Sequence, residues 1–230
     1  MNNILFFALL GLAILSATLY IIWQDEQKPW CSLCLKSLSS LLFSILAIVS
    51  IFLNRDFSNF SLFMVIGLIV SMFGDVFLAM LEFNPPQKSI VIKTGMIAFS
   101  LAHVFFIVGL NFENDFNFFY IALASAVIIM LLVIFGEKLL KLDYGNCKGF
   151  VAIYSFLLGA SLIQSLVIAI LSNFALFSIL LLIGFAFFFA SDLILSFIYF
   201  GKTWNRKLYY PNLALYYIGQ ILIASSLFFV

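Results

Sequence analysis

Eight stretches of this chain are each long and apolar enough to cross a bilayer as a helix, at about 4–23, 31–53, 60–81, 90–110, 117–135, 149–171, 174–200 and 210–230. A soluble core of 230 residues could not absorb this sequence, in which 65% of residues are hydrophobic and only 9% charged, with a mean hydropathy of +1.22. The expected fold is therefore all-α, a polytopic membrane bundle of eight transmembrane helices, with residues 1–230 forming a single transmembrane domain. The first stretch reads as a retained helix rather than a signal peptide, because MNN carries no positive charge and the apolar run is too long for an h-region. The connections (DEQKP, NRDFSN, EFNPPQKS, NFENDFN, GEKLLKLDYGNCK and GKTWNRKLYYPN) are short and hold most of the charge, which implies one compact bundle without an internal repeat.

A net charge of +1 says nothing by itself about a nucleic-acid partner, and none is expected of this membrane protein. The placement of the charges is more informative. Lys28, Lys88, Lys138, Lys141, Lys148, Lys202, Arg206 and Lys207 fall in connections on one side, whereas the other side has Arg55 alone. The positive-inside rule makes the lysine-rich side cytoplasmic and puts both termini outside the cytoplasm.

The segment KPWCSLCLK, Lys28 to Lys36, is similar over about nine residues to the first cysteine pair of quinone-coupled disulfide oxidoreductases of the DsbB type. Such an enzyme relays electrons through a second pair, and the only other cysteine here is Cys147. The charge bias also places Cys31 and Cys34 on the reducing side. Both are read as small apolar residues at a helix start.

Ionisable residues inside spans are costly and normally face a bundle interior or a water-filled cavity. Here they are Lys36, Asp75, His103 and Asp192, with Glu82 and Lys93 near helix ends. Counting inward at about 1.5 Å per residue puts Lys36 roughly 8 Å, Asp75 about 10 Å and Asp192 about 12 Å from the same surface. Tyr154, Tyr216, Tyr217 and Gln220 count into that layer, and His103 lies nearer the middle. Asp75 and Glu82, two turns apart, share a face of span three. A polar chamber opening toward the lysine-rich side is the expected arrangement. The bland alternatives are that Lys36, Glu82 and Lys93 snorkel to the surface, that His103 is a hydrogen-bonded core residue, and that the aspartates make structural pairs.

FMVIGLIVSMFGDVFLAMLEF, TGMIAFSLAHVFFIVGL, IGFAFFFASDLILSFIYFGK and LALYYIGQILIAS together resemble the YhhN-type lysoplasmalogenase family of eight-span membrane proteins. The likeness runs from about span two to the C-terminus. It rests on Gly74 with Asp75, the Gly95, Phe99 and His103 spacing, Ser191 with Asp192, Tyr217 with Gln220, and a lysine near the start of span two, here Lys36. Where members often have a proline after that lysine, this chain has Ser37, Ser39 and Ser40; where a tyrosine often follows the histidine, it has Phe105 and Phe106.

The resemblance implies hydrolysis of the vinyl-ether bond of lysoplasmalogens to a fatty aldehyde and a glycerophospho-base, in a bacterial inner membrane. It implies a lysophospholipid substrate among membrane lipids, and no cofactor or metal. The residues suit that chemistry independently. A vinyl ether hydrolyses by slow protonation on carbon, which leaves an oxocarbenium ion for water to capture; an acid is needed first, then a negative charge beside the cation. Two carboxylates in a low-dielectric site provide both, since one keeps its proton while its partner stays ionised, as in glycosidases. Asp75 and Asp192 are the expected catalytic pair, in either order. Lys36, His103, Tyr154, Ser191, Tyr216, Tyr217 and Gln220 are expected to bind substrate or support the pair. A proton-coupled transporter or a lipid-binding protein would also use membrane aspartates. A zinc hydrolase is poorly served by one histidine.

Overall fold

The computed structural model describes residues 2–24, 29–80, 88–113, 116–202 and 206–230. Eight α-helices follow one another: α1 (Asn2–Trp23), α2 (Pro29–Asn54), α3 (Asn59–Ala79), α4 (Lys88–Glu113), α5 (Phe116–Leu139), α6 (Lys148–Leu171), α7 (Leu176–Phe200) and α8 (Tyr209–Ser226). No strand occurs among the described residues; the one bridge joins Leu142 to Gly201. Hydrocarbon cannot hydrogen-bond a peptide group, so each apolar run closes its own backbone ladder as a helix. Chain reversal is left to polar residues. At the start of α3, for example, Ser58 accepts a hydrogen bond from the Ser61 nitrogen at 3.2 Å while Asp56 accepts one from the Ser58 nitrogen at 3.1 Å.

Seven of these helices, α1 to α7, are long and apolar enough to span a membrane. The eighth is different, since its 18 residues would reach about 27 Å yet carry Asn212, Tyr216, Tyr217 and Gln220, all buried. It tolerates them because α1, α2, α3 and α7 surround it, so protein rather than lipid is its solvent. The apolar side chains of α5 point mostly outward, making it the most exposed helix.

The two ends of the bundle are chemically distinct. At one, Phe6 stacks on Phe228 with ring centroids 4.1 Å apart, and Asn54 Nδ2 donates to the Val230 carbonyl at 2.7 Å, so the C-terminus meets both the start of α1 and the end of α2. At the other, the α5–α6 connection is tied to the end of α7 by the Asp143 nitrogen donating to the Phe200 carbonyl at 2.9 Å. Lys148 bonds Glu137 there at 2.6 Å. Lys28 and Glu82 lie outside the described residues.

The register of α8 on α7 is set by two glycines in contact. A Cβ at Gly219 would lie 2.8 Å from the Gly184 carbonyl oxygen and 3.1 Å from the Phe188 nitrogen, and one at Gly184 would lie 3.0 Å from the Gly219 carbonyl. Backbone cannot move aside as a side chain can. Gly219→Ala is therefore expected to cost about 1–3 kcal/mol by overpacking, seen as a lower melting temperature in detergent. An unchanged melting temperature would mean that the helices separate freely at this contact.

Candidate functional site

The chamber is built where α1, α3 and α7 end and α2 and α8 begin, at the lysine-rich end of the bundle. Its walls include Tyr20, Lys36, Asp75, Ser191, Asp192 and Tyr216. Asp75 and Asp192 thus come from different helices to one cavity of about 70 Å³.

Asp75, only 2% exposed, is surrounded by donors. Ser40 and Tyr216 each donate a hydroxyl to its Oδ2 at 2.6 Å, and Lys36 Nζ lies 3.6 Å from its Oδ1. Lys36 is itself 8% exposed, so it does not snorkel; it turns inward to the carboxylate. Ser40 lies one turn beyond Lys36 and therefore on the same face of α2. The serines that replace the expected proline thus put a hydroxyl on Asp75. Gln220 Nε2 donates to the Tyr216 hydroxyl at 3.2 Å, holding the ring that reaches Asp75. The Tyr217 hydroxyl donates to the Lys36 carbonyl at 3.5 Å, and its ring meets Tyr20 edge-on at 5.8 Å.

Asp192 has a different setting. It is partly buried, and its Oδ2 accepts a hydrogen bond from the Tyr154 hydroxyl of α6. Among the described residues no lysine or arginine pairs with it. Its neighbour Ser191 is anchored by Asn212, whose Nδ2 donates to the Ser191 carbonyl at 2.8 Å and to its hydroxyl at 3.0 Å. That clasp from α8 fixes the turn of α7 that carries Asp192. Below it, Phe99, Phe188 and Tyr216 meet edge-on with centroids 5.3–6.0 Å apart and form an aromatic floor.

His103 is fully buried and lines neither this chamber nor the apolar cavity beside it. Its Nδ1 is 3.0 Å from the Ser161 hydroxyl, its ring lies edge-on to Tyr154 at 5.8 Å, and its Nε2 has no partner among the described residues. The hydroxyls beside this histidine come from α6 rather than from the residues that follow it. His103, Tyr217 and Gln220 therefore stand behind the chamber wall, where they position Tyr154, Lys36 and Tyr216. Lys93 sits with its ammonium 5.7 Å from the Phe150 ring centroid, outside the chamber.

Sequence reasoning named Ser40 only as a departure from the family pattern, and passed over Asn212, Tyr20 and Ser161. The one-turn spacing from Lys36 to Ser40 was the available signal. No local pattern marks the other three, which matter through contacts with distant helices.

Cys31 and Cys34 are exposed free thiols at the start of α2, and Cys147 is buried with its thiol free. None of the three lines the chamber.

The model of the YhhN family matches residues 31–227. The chain belongs to the YhhN family. The matched region begins in the first turn of α2 and ends just after α8, so it contains every chamber residue named above except Tyr20, on α1. No protein of curated function and no solved structure matches the chain.

Proposed function

We propose that this YhhN protein is a lysoplasmalogenase, an ether hydrolase that splits the vinyl-ether bond of alkenyl glycerophosphoethanolamine or glycerophosphocholine. The observation that carries the reading is the unequal setting of two carboxylates on one chamber. Three donors, one of them cationic, converge on Asp75, which suits a standing negative charge. Asp192 has one neutral hydroxyl donor and, among the described residues, no paired cation, so its charge is the less supported of the two, which suits a group that carries and delivers a proton.

The reaction then balances without a cofactor. The Asp192 carboxyl gives its proton to the second carbon of the alkenyl chain, and the double-bond electrons form the new C–H bond. Positive charge develops on the first carbon and the ether oxygen, where the Asp75 carboxylate stabilises it. Water adds to the first carbon and returns a proton to Asp192. The resulting hemiacetal breaks its bond to the glycerol oxygen, releasing aldehyde and the glycerol alcohol. Helices α3 and α7 run unbroken past both aspartates, unlike the interrupted helices with which transporters bind ions. In a bacterial inner membrane the lysine-rich end would face the cytoplasm, with both termini outside, so that the glycerophospho-base is released inside.

Turnover in heavy water tests the mechanism. One deuterium is expected on the carbon next to the aldehyde, measured by mass spectrometry after rapid trapping, and the saturated alkyl lysolipid is expected to be inert. An unlabelled aldehyde, or cleavage of the alkyl analogue at a similar rate, would rule out protonation on carbon. A lipid-binding protein would release no aldehyde.

A further inference from the structure

Beside the polar chamber lies a second cavity of about 110 Å³, between α4, α6 and α7 and closed at one end by the α5–α6 connection. Three of its polar side chains already have partners. Ser155 donates to the Ala152 carbonyl at 3.1 Å, Ser196 donates to the Leu193 carbonyl at 2.7 Å, and Tyr154 donates to Asp192. Apart from Asp192 and Tyr199, where it meets the chamber, the wall is mostly hydrocarbon and aromatic ring, with Ile92, Met96, Val133 and Phe189 contributing to it.

Two features decide what such a cavity holds. It adjoins the polar chamber, since Leu78, Phe99, Asp192, Leu195 and Tyr199 line both. It also reaches the outer surface of the bundle, where Leu140, Leu193 and Phe197 in its wall are 47%, 43% and 36% exposed. Leu193 lies seven residues, about 10 Å, inside the end of α7, so this opening lies at the depth of lipid tails rather than in water. An apolar slot that opens into the bilayer and ends at a charged chamber has the order of polarity of a single-chain amphiphile.

We infer that the α4–α6–α7 cavity binds the hydrocarbon chain of a lysolipid, which enters sideways from the membrane and projects its headgroup into the polar chamber. This rests on the lysoplasmalogenase reading for the identity of the headgroup linkage, though not for the occupancy of the slot. Moving the chain from bilayer to slot exchanges one apolar surrounding for another, and once the chain lies in the slot the polar surrounding that adjoins it for the phosphate end is the chamber; orientation follows. It also orders the chemistry. Asp192 lines both cavities and Asp75 lines the chamber alone. In a lysoplasmalogen lying this way, the carbon to be protonated is on the tail side, beside Asp192, and the ether oxygen is on the head side, toward Asp75.

The test uses the full chain in detergent or nanodiscs with a saturated alkyl lysolipid carrying a diazirine in its chain. Irradiation is expected to label peptides covering residues 151–158 and 189–200, with competition by unlabelled alkyl lysolipid. Labelling spread over the outward faces of α1 and α5, without competition, would overturn the inference. Val133→Phe, on the outermost helix, narrows the slot. It is expected to lower kcat/KM for long alkenyl chains relative to short ones by about tenfold or more. An unchanged ratio in a folded variant would likewise count against the slot. Slot labelling without aldehyde release would remove the lysoplasmalogenase reading and leave the lysolipid site standing; aldehyde release without slot labelling would do the reverse.

Discussion

Asp192→Asn is expected to lower turnover by about 10²–10⁴-fold while leaving the protein folded. The amide still accepts the Tyr154 hydroxyl, and no cation among the described residues is left without a partner by the change. What disappears is the acidic proton. On the proposed mechanism Asp75→Asn is expected to lose as much activity by another route, because the charge that would stabilise the oxocarbenium ion is gone. It carries a structural cost as well, since Lys36 then remains buried without its counter-charge. Aldehyde release per folded molecule, after size-exclusion chromatography in detergent, separates the two effects. Two folded single variants that retain activity would end the role of the pair.

Lys36→Ala is expected to be the most destabilising exchange at the site, by about 3–5 kcal/mol, because it leaves an ionised carboxylate buried at 2% exposure with only neutral donors. Its activity should fall with its stability. Combining it with Asp75→Asn removes both charges and is expected to restore much of the melting temperature but none of the turnover, a coupling that a double-mutant cycle measures directly. Strict additivity of the two would show that the ion pair does not hold the chamber together. By contrast, Cys31→Ala with Cys34→Ala should change stability by no more than about 0.5 kcal/mol and leave activity nearly whole, since both thiols are exposed and away from the chamber. An inactive double-cysteine variant together with quinone-linked thiol oxidation would restore the redox reading.

Reading depth from sequence placed three ionisable residues within the spans correctly relative to one another. Lys36, Asp75 and Asp192 do meet one cavity, as counting along their helices indicated. The same count put Tyr217 and Gln220 in the layer, and there they lie behind the wall, hydrogen-bonded to Lys36 and Tyr216. Depth along an axis and direction around it are separate coordinates. In a soluble helix the apolar stripe reveals the direction, but here lipid and core are both apolar, so the pattern of α4 or α8 does not say which face turns inward.

Class, helical architecture and the depth of each buried charge were therefore determined by the sequence itself, because they depend on local quantities: apolar run length, the 1.5 Å rise and the requirement that every peptide group in hydrocarbon bond within its own helix. Which aspartate receives Lys36, that Asn212 clasps Ser191, and that an apolar slot meets the chamber at Asp192 were decided only by the tertiary structure. Those outcomes depend on how far each helix is rotated and how closely it approaches its neighbours. Contacts between segments far apart in the chain, such as Gly184 against Gly219, set both.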